Sequence, residues 1–218
     1  MSWLSVWGDY LPTMLDGLQV SLLLALISIS LGYPLGLLLG LAVSSENLAV
    51  RAISLAVVEI GRGAPALVVL YLFYYGLPKA GITMEAMTAA SLGLVWNTAA
   101  YSSEVMRAGF QSVHRGQIEA ANALGLADRH TFLRIVMPQG LRSATPGLMG
   151  LSIQVFQATS LAYTIAVPEL MKAANNLGSR DFNYLQVFVL AGLVYAAVTL
   201  PATWITVYFE KRMNRAYA

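Results

Sequence analysis

Residues 112–138 read SVHRGQIEAANALGLADRHTFLRIVMP, the most polar stretch of the chain. Long runs without Asp, Glu, Lys or Arg surround it. They cover 143–168 and 182–209 on one side, and 86–103, 63–78 and 17–45 on the other. A membrane-spanning helix needs about 20 mostly apolar residues, range 17–25. Three of the runs exceed that length, and the other two reach it once their flanks are counted. The pattern predicts an all-α membrane protein with five transmembrane helices at roughly 17–43, 55–77, 86–107, 140–166 and 183–208. Residues 1–16 then form an N-terminal interfacial segment, 17–213 one transmembrane domain, and 108–138 the polar loop between the third and fourth spans.

Composition supports the same class. Of 218 residues, 57% are hydrophobic and 11% charged, with mean hydropathy +0.64. Soluble domains carry about 25% charged residues, so an ordinary soluble enzyme and a disordered chain are both excluded. There is no cysteine, hence no disulfide framework and no thiolate metal site. His114 and His130 sit in the polar loop, where a two-histidine metal site competes with the simpler reading of solvated loop residues. No lysine follows a glycine, so the phosphate-cradling G-x-x-x-x-G-K-[ST] loop is absent. A formal charge of +2 gives no basis for binding nucleic acid. No Lys or Arg precedes Arg51, so the first apolar run is expected to be a retained span rather than a cleaved signal.

Basic residues give an orientation. Arg51, Arg62, Arg107, Arg115, Arg129, Arg134, Arg142, Lys211, Arg212 and Arg215 fall on one side of the five spans; Lys79, Lys172 and Arg180 fall on the other. The positive-inside rule places the larger group in the cytoplasm, with the N-terminus outside and the C-terminus inside. Trp3, Trp7 and Tyr10 suit an outer interfacial segment, and Trp204, Tyr208 and Phe209 suit the inner end of the last span. Gly32, Pro34, Gly36, Gly40, Pro146, Gly147, Gly150 and Pro201 interrupt the spans, as close helix packing in lipid would require.

Within the polar loop, Gln117–Leu124 reads as a helix with Ile118, Ala121 and Leu124 on one face. Gly125 supplies the left-handed turn after it. Asp128 is placed as N-cap of a second short helix whose apolar side is Phe132, Leu133 and Val136.

Glu119-Ala120-Ala121, Gly125, Ile135 and Pro138 also reproduce the spaced E-A-A…G…I…P motif, and so resemble the membrane subunits of ABC importers. Arg62-Gly63-Ala64-Pro65, Asn97-Thr98-Ala99-Ala100-Tyr101 with Glu104, Ser112–Gln117, Thr159-Ser160-Leu161 and Val167-Pro168-Glu169-Leu170 resemble further motifs of the polar amino-acid permease family, the histidine/glutamine/arginine type. The resemblance covers about residues 13–213. It implies a type I importer fold like that of the methionine importer, in a multi-pass chain of the bacterial inner membrane. The implied function is a permease subunit moving polar amino acids or related small solutes. Implied partners are ATP-binding subunits at the cytoplasmic face, a second permease subunit (identical or different), an extracytoplasmic solute-binding protein and membrane lipid. ATP and magnesium would reside on the partner ATPase, leaving this chain without cofactor, metal or catalytic residue. The coupling residues implied are Glu119, Ala120, Ala121, Gly125, Leu126, Ile135 and Pro138.

Polar side chains at membrane depth cost energy unless they pair or line a wet cavity. Asn97, Tyr101, Glu104 and Ala108 share one helix face, and Gln154, Gln157 and Leu161 another with Ser160 beside them; Thr159 is added by the T-S-L segment of the resemblance. Asn97, Tyr101, Gln154, Gln157, Thr159 and Ser160 are therefore the expected solute path, with interhelical hydrogen bonding as the competing role. Glu104 is expected to pair with Arg107 or Arg62. Many relatives carry Lys-Asp where this chain has Gln157-Ala158, so it lacks a carboxylate that would suit a cationic solute. An ATP-independent carrier or channel is the alternative function, and a non-transporting scaffold a further one.

Overall fold

A computed structural model describes residues 3–214, with side chains from Trp7 to Met213, and its regular elements are all helical. The longest helix, α1, spans Trp3–Val43 and contains Pro12 and Pro34 without ending at either. Gly32, Gly36 and Gly40 recur every fourth residue along it and face α4, Ala86–Gln111. A Cβ at Gly36 would stand 2.7 Å from the Ala99 carbonyl oxygen, and one at Gly32 2.7 Å from Cβ of Thr98. Only glycine lets the two backbones approach so closely.

Helix α2, Leu48–Gly63, is capped by Asn47, whose Oδ1 accepts from the N–H groups of Ala49 and Val50 at 3.0 and 3.3 Å. It stops at Ala64, in extended conformation at φ −80° and ψ 132°, before Pro65. Helix α3, Ala66–Tyr71, continues through a π turn, Leu72–Gly76, and a 3-10 turn, Leu77–Ala80. The expected unbroken span over 55–77 is therefore two pieces bent by 108°. Proline lacks an N–H and disfavours helical geometry in the residue before it, and a hydropathy average passes over both effects.

The polar loop holds α5, Arg115–Ala123, and the single-turn α6, Asp128–Thr131, followed by a π turn, Phe132–Val136. Then come α7, Met137–Ala158, a 3-10 stretch, Thr159–Ile165, α8, Leu170–Asp181, and α9, Tyr184–Asn214. Helices α4 and α7 cross at Gly109 and Gly140. A Cβ on Gly109 would lie 2.9 Å from that of Ala144, and one on Gly140 2.8 Å from Cα of Phe110. One buried cluster joins Tyr10 and Met14 of α1 to Leu170, Leu177, Val187 and Val194. A second joins Leu24 to Leu70, Leu94, Ile165 and Val167.

Among the described residues, two helices are long and apolar enough to cross a membrane, Trp7–Val43 at mean hydropathy 2.2 and Tyr184–Met213 at 1.9; the bent pair makes a third if it is one span. Helices α4 and α7 stay below that mark. Asn97, Thr98, Ser102, Ser103 and Glu104 dilute the first, and Gln139, Arg142, Thr145 and Gln154 the second. Residues 3–16 are no separate element but the opening turns of α1. Tyr10, expected at a lipid interface, is only 5% exposed, and its hydroxyl donates to Asp181 Oδ2 at 2.7 Å. The Trp3 side chain and Arg215 lie outside the described residues. Trp204, Tyr208 and Phe209 are exposed near the end of α9, as an interfacial belt would be.

Candidate functional site: an interhelical cavity and a polar-loop helix

Helix α4 presents three polar groups to the broken end of α2. Asn97 Nδ2 donates to the Gly61 carbonyl at 2.8 Å, and the Tyr101 hydroxyl donates to that of Arg62 at 3.0 Å. Glu104 accepts from Arg107 Nε at 3.1 Å and lies 3.8 Å from Arg62 Nη1, so it serves both expected ion pairs. The Arg62 guanidinium also stands 6.0 Å from the centre of the Tyr101 ring. The sequence ends α2 at Pro65, which leaves its last carbonyls without helical partners, and the α4 side chains supply donors for two of them.

Behind these contacts lies a cavity of about 190 Å³ between α4 and α7. Asn97, Thr98, Tyr101 and Gln154 give its polar lining; Leu94, Leu151, Val155 and Ala158 give the apolar part. Three of the expected path residues thus meet, and Thr98, which sequence reasoning missed, joins them. Thr98 Oγ1 is buried without a hydrogen-bond partner among the described residues. Such an orphan donor on a cavity wall is ready for water or solute. Gln154 also forms no hydrogen bond there, so its amide is free. The remaining expected residues stand elsewhere. Gln157 is exposed and off the cavity wall. Thr159 is fully buried behind that wall, its hydroxyl donating to the Phe156 carbonyl at 2.7 Å. The Ser160 hydroxyl donates to the Gln157 carbonyl at 2.7 Å. For Thr159 and Ser160 the reason is local: the helix tightens to 3-10 at Thr159, which eclipses positions three apart. Gln157 precedes the tightening, in α7.

The polar loop is built to present one helix. His114, expected as a solvated residue, is the N-cap of α5, its Nδ1 accepting from Gly116 N–H at 3.1 Å. The helix begins two residues earlier than its expected start at Gln117. It ends with Gly125 at φ +72°, where Leu126 N–H donates to the Ala121 carbonyl at 3.1 Å and Gly125 N–H to that of Asn122 at 2.9 Å. These paired bonds form a Schellman motif, for which glycine is the favoured residue. Ala121 is buried, while Glu119, Ala120, Leu124 and Leu126 are exposed; Leu124, at 80% exposure, does not join the inward stripe expected of it. Asp128 is the first residue of α6 rather than its cap; Ala127 holds the cap position and offers no side-chain acceptor. Leu133 is exposed, Phe132 and Ile135 are half-buried, and Val136 is buried. Pro138 opens α7, where its missing N–H costs nothing.

One contact ties α5 to α7: Gln139 Nε2 donates to Gln117 Oε1 at 2.6 Å. A second ties the end of α4 to α7, the Ser112 hydroxyl donating to that of Ser143 at 2.9 Å. At the far end of α7, the fully buried Glu169 carboxyl receives Lys172 N–H at 2.8 Å, Met171 N–H at 2.9 Å, the Tyr195 hydroxyl at 3.0 Å and the Ser21 hydroxyl at 3.2 Å. It caps α8 and binds it to α1 and α9. Asp181, at the other end of α8, is held down to about 2 by the Arg180 guanidinium first and the Tyr10 hydroxyl second.

Residues 32–215 match the family model of the inner membrane component of binding-protein-dependent transport systems. The chain is 36% identical over 207 residues to the probable amino-acid ABC transporter permease protein YckA of Bacillus subtilis, covering 95% of this chain and 90% of that one. It is 37% identical over 193 residues to the probable glutamine ABC transporter permease protein GlnP of the same organism, covering 87% and 88%. Among solved structures, an amino acid ABC transporter with histidines superposes at TM-score 0.92 and 29% identity, covering 97% of this chain and 99% of that one. An inward-facing methionine ABC transporter shares the fold at TM-score 0.73 and 18% identity, covering 96% and 99%.

Proposed function

The chain belongs to the family of binding-protein-dependent transport system inner membrane components, and from that membership we propose how its parts divide the work of an amino-acid importer. It is the permease subunit, and the ATPase of such systems is a separate chain. In this reading the chain crosses the bacterial inner membrane five times, with the N-terminus outside. An ATP-binding subunit docks on the exposed face of α5, at Glu119 and Ala120, and on Leu126 just past its closing turn. A solute-binding protein delivers the amino acid from outside. No cofactor or metal resides on this chain.

The observation that carries the reading is the pairing of an outward-facing coupling helix with a polar half-cavity, both attached to α7. Ligand sites run about 300–1,000 Å³. The cavity, at about 190 Å³, is below that range, and a second permease facing it would bring it within. Its polar lining is formed from amide and hydroxyl groups, without a carboxylate. That lining favours a neutral polar amino acid over a cationic one.

The test is uptake by proteoliposomes containing the co-purified permease, ATPase and binding protein. Uptake of a neutral polar amino acid that requires both ATP and the binding protein is expected. Equal uptake without the ATPase would identify a carrier or channel instead. Cysteines introduced at Ile82 and His130 should label from opposite sides, and same-side labelling would overturn the five-span topology.

A further inference from the structure

A cavity of about 510 Å³ lies where the ends of α1 and α4 meet the polar loop. Its floor is apolar, formed by Leu41, Phe110, Ile118 and Phe132, with the two phenylalanine rings edge to face at 5.5 Å. Its rim carries two guanidinium groups, Arg107 and Arg115. Such a lining fits neither a hydrocarbon chain alone nor a small hydrophilic anion alone. It fits an amphiphile with a negative head.

We propose that this cavity holds the head group and adjoining acyl segment of an anionic phospholipid from the cytoplasmic leaflet. The charge balance narrows the ligand. Glu104 already accepts from Arg107 at 3.1 Å, which leaves Arg115 as the uncompensated cation of the pair. One net positive charge matches a phosphodiester with a single negative charge, as in phosphatidylglycerol, better than a free phosphate near two charges. The position matches as well, because the last turns of α1 and α4 end here. Basic pockets between helices at the cytoplasmic surface suit lipid head groups. A lipid seated here would brace α1 against the first turn of α5. The proposal rests on this end of the chain facing the cytoplasm. Lipid retention does not depend on orientation, whereas the cysteine labelling above does, so the two readings fail separately.

The experiment uses the intact permease–ATPase complex in nanodiscs of mixed phosphatidylglycerol and phosphatidylcholine, followed by release into detergent and native mass spectrometry. The complex is expected to keep phosphatidylglycerol in preference to phosphatidylcholine. Arg115→Glu should reduce its retention at least about fivefold. Arg129→Glu, the same charge change on the exposed α6, should leave it unchanged. Leu41→Trp fills the apolar part without altering charge or α5, and should also expel the lipid; it decides the matter if Arg115→Glu fails to assemble. Equal retention of both lipids would overturn the proposal. So would equal loss in Arg115→Glu and Arg129→Glu. Displacement by millimolar inorganic phosphate or glycerol phosphate as readily as by phosphatidylglycerol would assign the site to a free anion and also overturn it.

Discussion

Gln117 of the coupling helix and Gln139 of α7 meet side chain to side chain at 2.6 Å. The bond connects α5, the helix proposed to dock the ATPase, to the helix that carries Gln154 into the cavity. One such hydrogen bond is worth about 0.5–1.5 kcal/mol. Gln117→Leu should therefore leave the complex assembled and raise the ATP hydrolysed per solute imported by about twofold to tenfold. The ratio of ATP turnover to uptake in proteoliposomes, with loaded binding protein present, measures it. An unchanged ratio would show that force passes through other contacts.

Gly125 sits at φ +72° with nothing within 4 Å of where a Cβ would be. The cost of a side chain there is conformational rather than steric, about 1–2 kcal/mol and more for a β-branched residue. Gly125→Val should redirect the turn while leaving the chain inserted. Co-purification with the ATPase should be lost, or hydrolysis should continue without uptake. Gly125→Asn, which tolerates the left-handed region, should retain both activities.

Asn97 and Gln154 line the same cavity but should behave differently. Asn97 holds the Gly61 carbonyl, so Asn97→Leu leaves an unpaired acceptor and should lower assembly along with uptake. Gln154 has no such duty. Gln154→Leu should assemble normally and reduce uptake about threefold to tenfold, with binding-protein affinity unchanged. Normal uptake by Gln154→Leu would remove the cavity from the solute path.

The Tyr10–Asp181 contact should be insensitive to mild acid. Asp181 is held at about 2, below the ordinary carboxylate range. A depressed carboxyl contributes stability that is complete above its unfolded value, about 3.9, and lost as pH falls through the folded one. Tyr10→Phe should therefore lower the melting temperature of the complex equally at pH 8 and pH 5. A difference that disappears at pH 5 would mean that Asp181 titrates in that interval.

The uncharged runs made the helical membrane class visible, and Gly125 after a helical stripe made the α5 turn visible, because both are local signals. Pro65 stood inside the expected second span, yet hydropathy averaging hid the break it causes. The 3-10 tightening at Thr159 leaves no trace in composition, so Ser160, expected beside the Gln154 face, and Thr159, expected from the T-S-L segment, both stand away from the cavity. The Glu169 carboxyl finds Ser21 at a separation of 148 residues and Tyr195 at 26, and Gln117 finds Gln139 at 22. Such pairings depend on how helices cross, which a single sequence does not encode in any short window. Thr98 was unreadable for a related reason: its orphan hydroxyl is defined by the absence of a neighbour.

The close approach of Gly109 and Gly140, with Phe110 and Ala144 packed beside them, would let the α4–α7 crossing act as a fulcrum. Helices that meet through glycine backbone have fewer side chains to disengage when they scissor. The arms are unequal. Gln117 and Gln139 act close to the fulcrum, while Asn97 stands twelve residues beyond it on α4, about 18 Å at 1.5 Å per residue. Gln154 stands fourteen residues beyond it on α7, about 21 Å. A scissor of about 10° at the glycines would part the cavity walls by roughly 3 Å on this rise per residue, which is the width of a water molecule. A small displacement of the short arm at the α5 end would thereby be magnified at the cavity end.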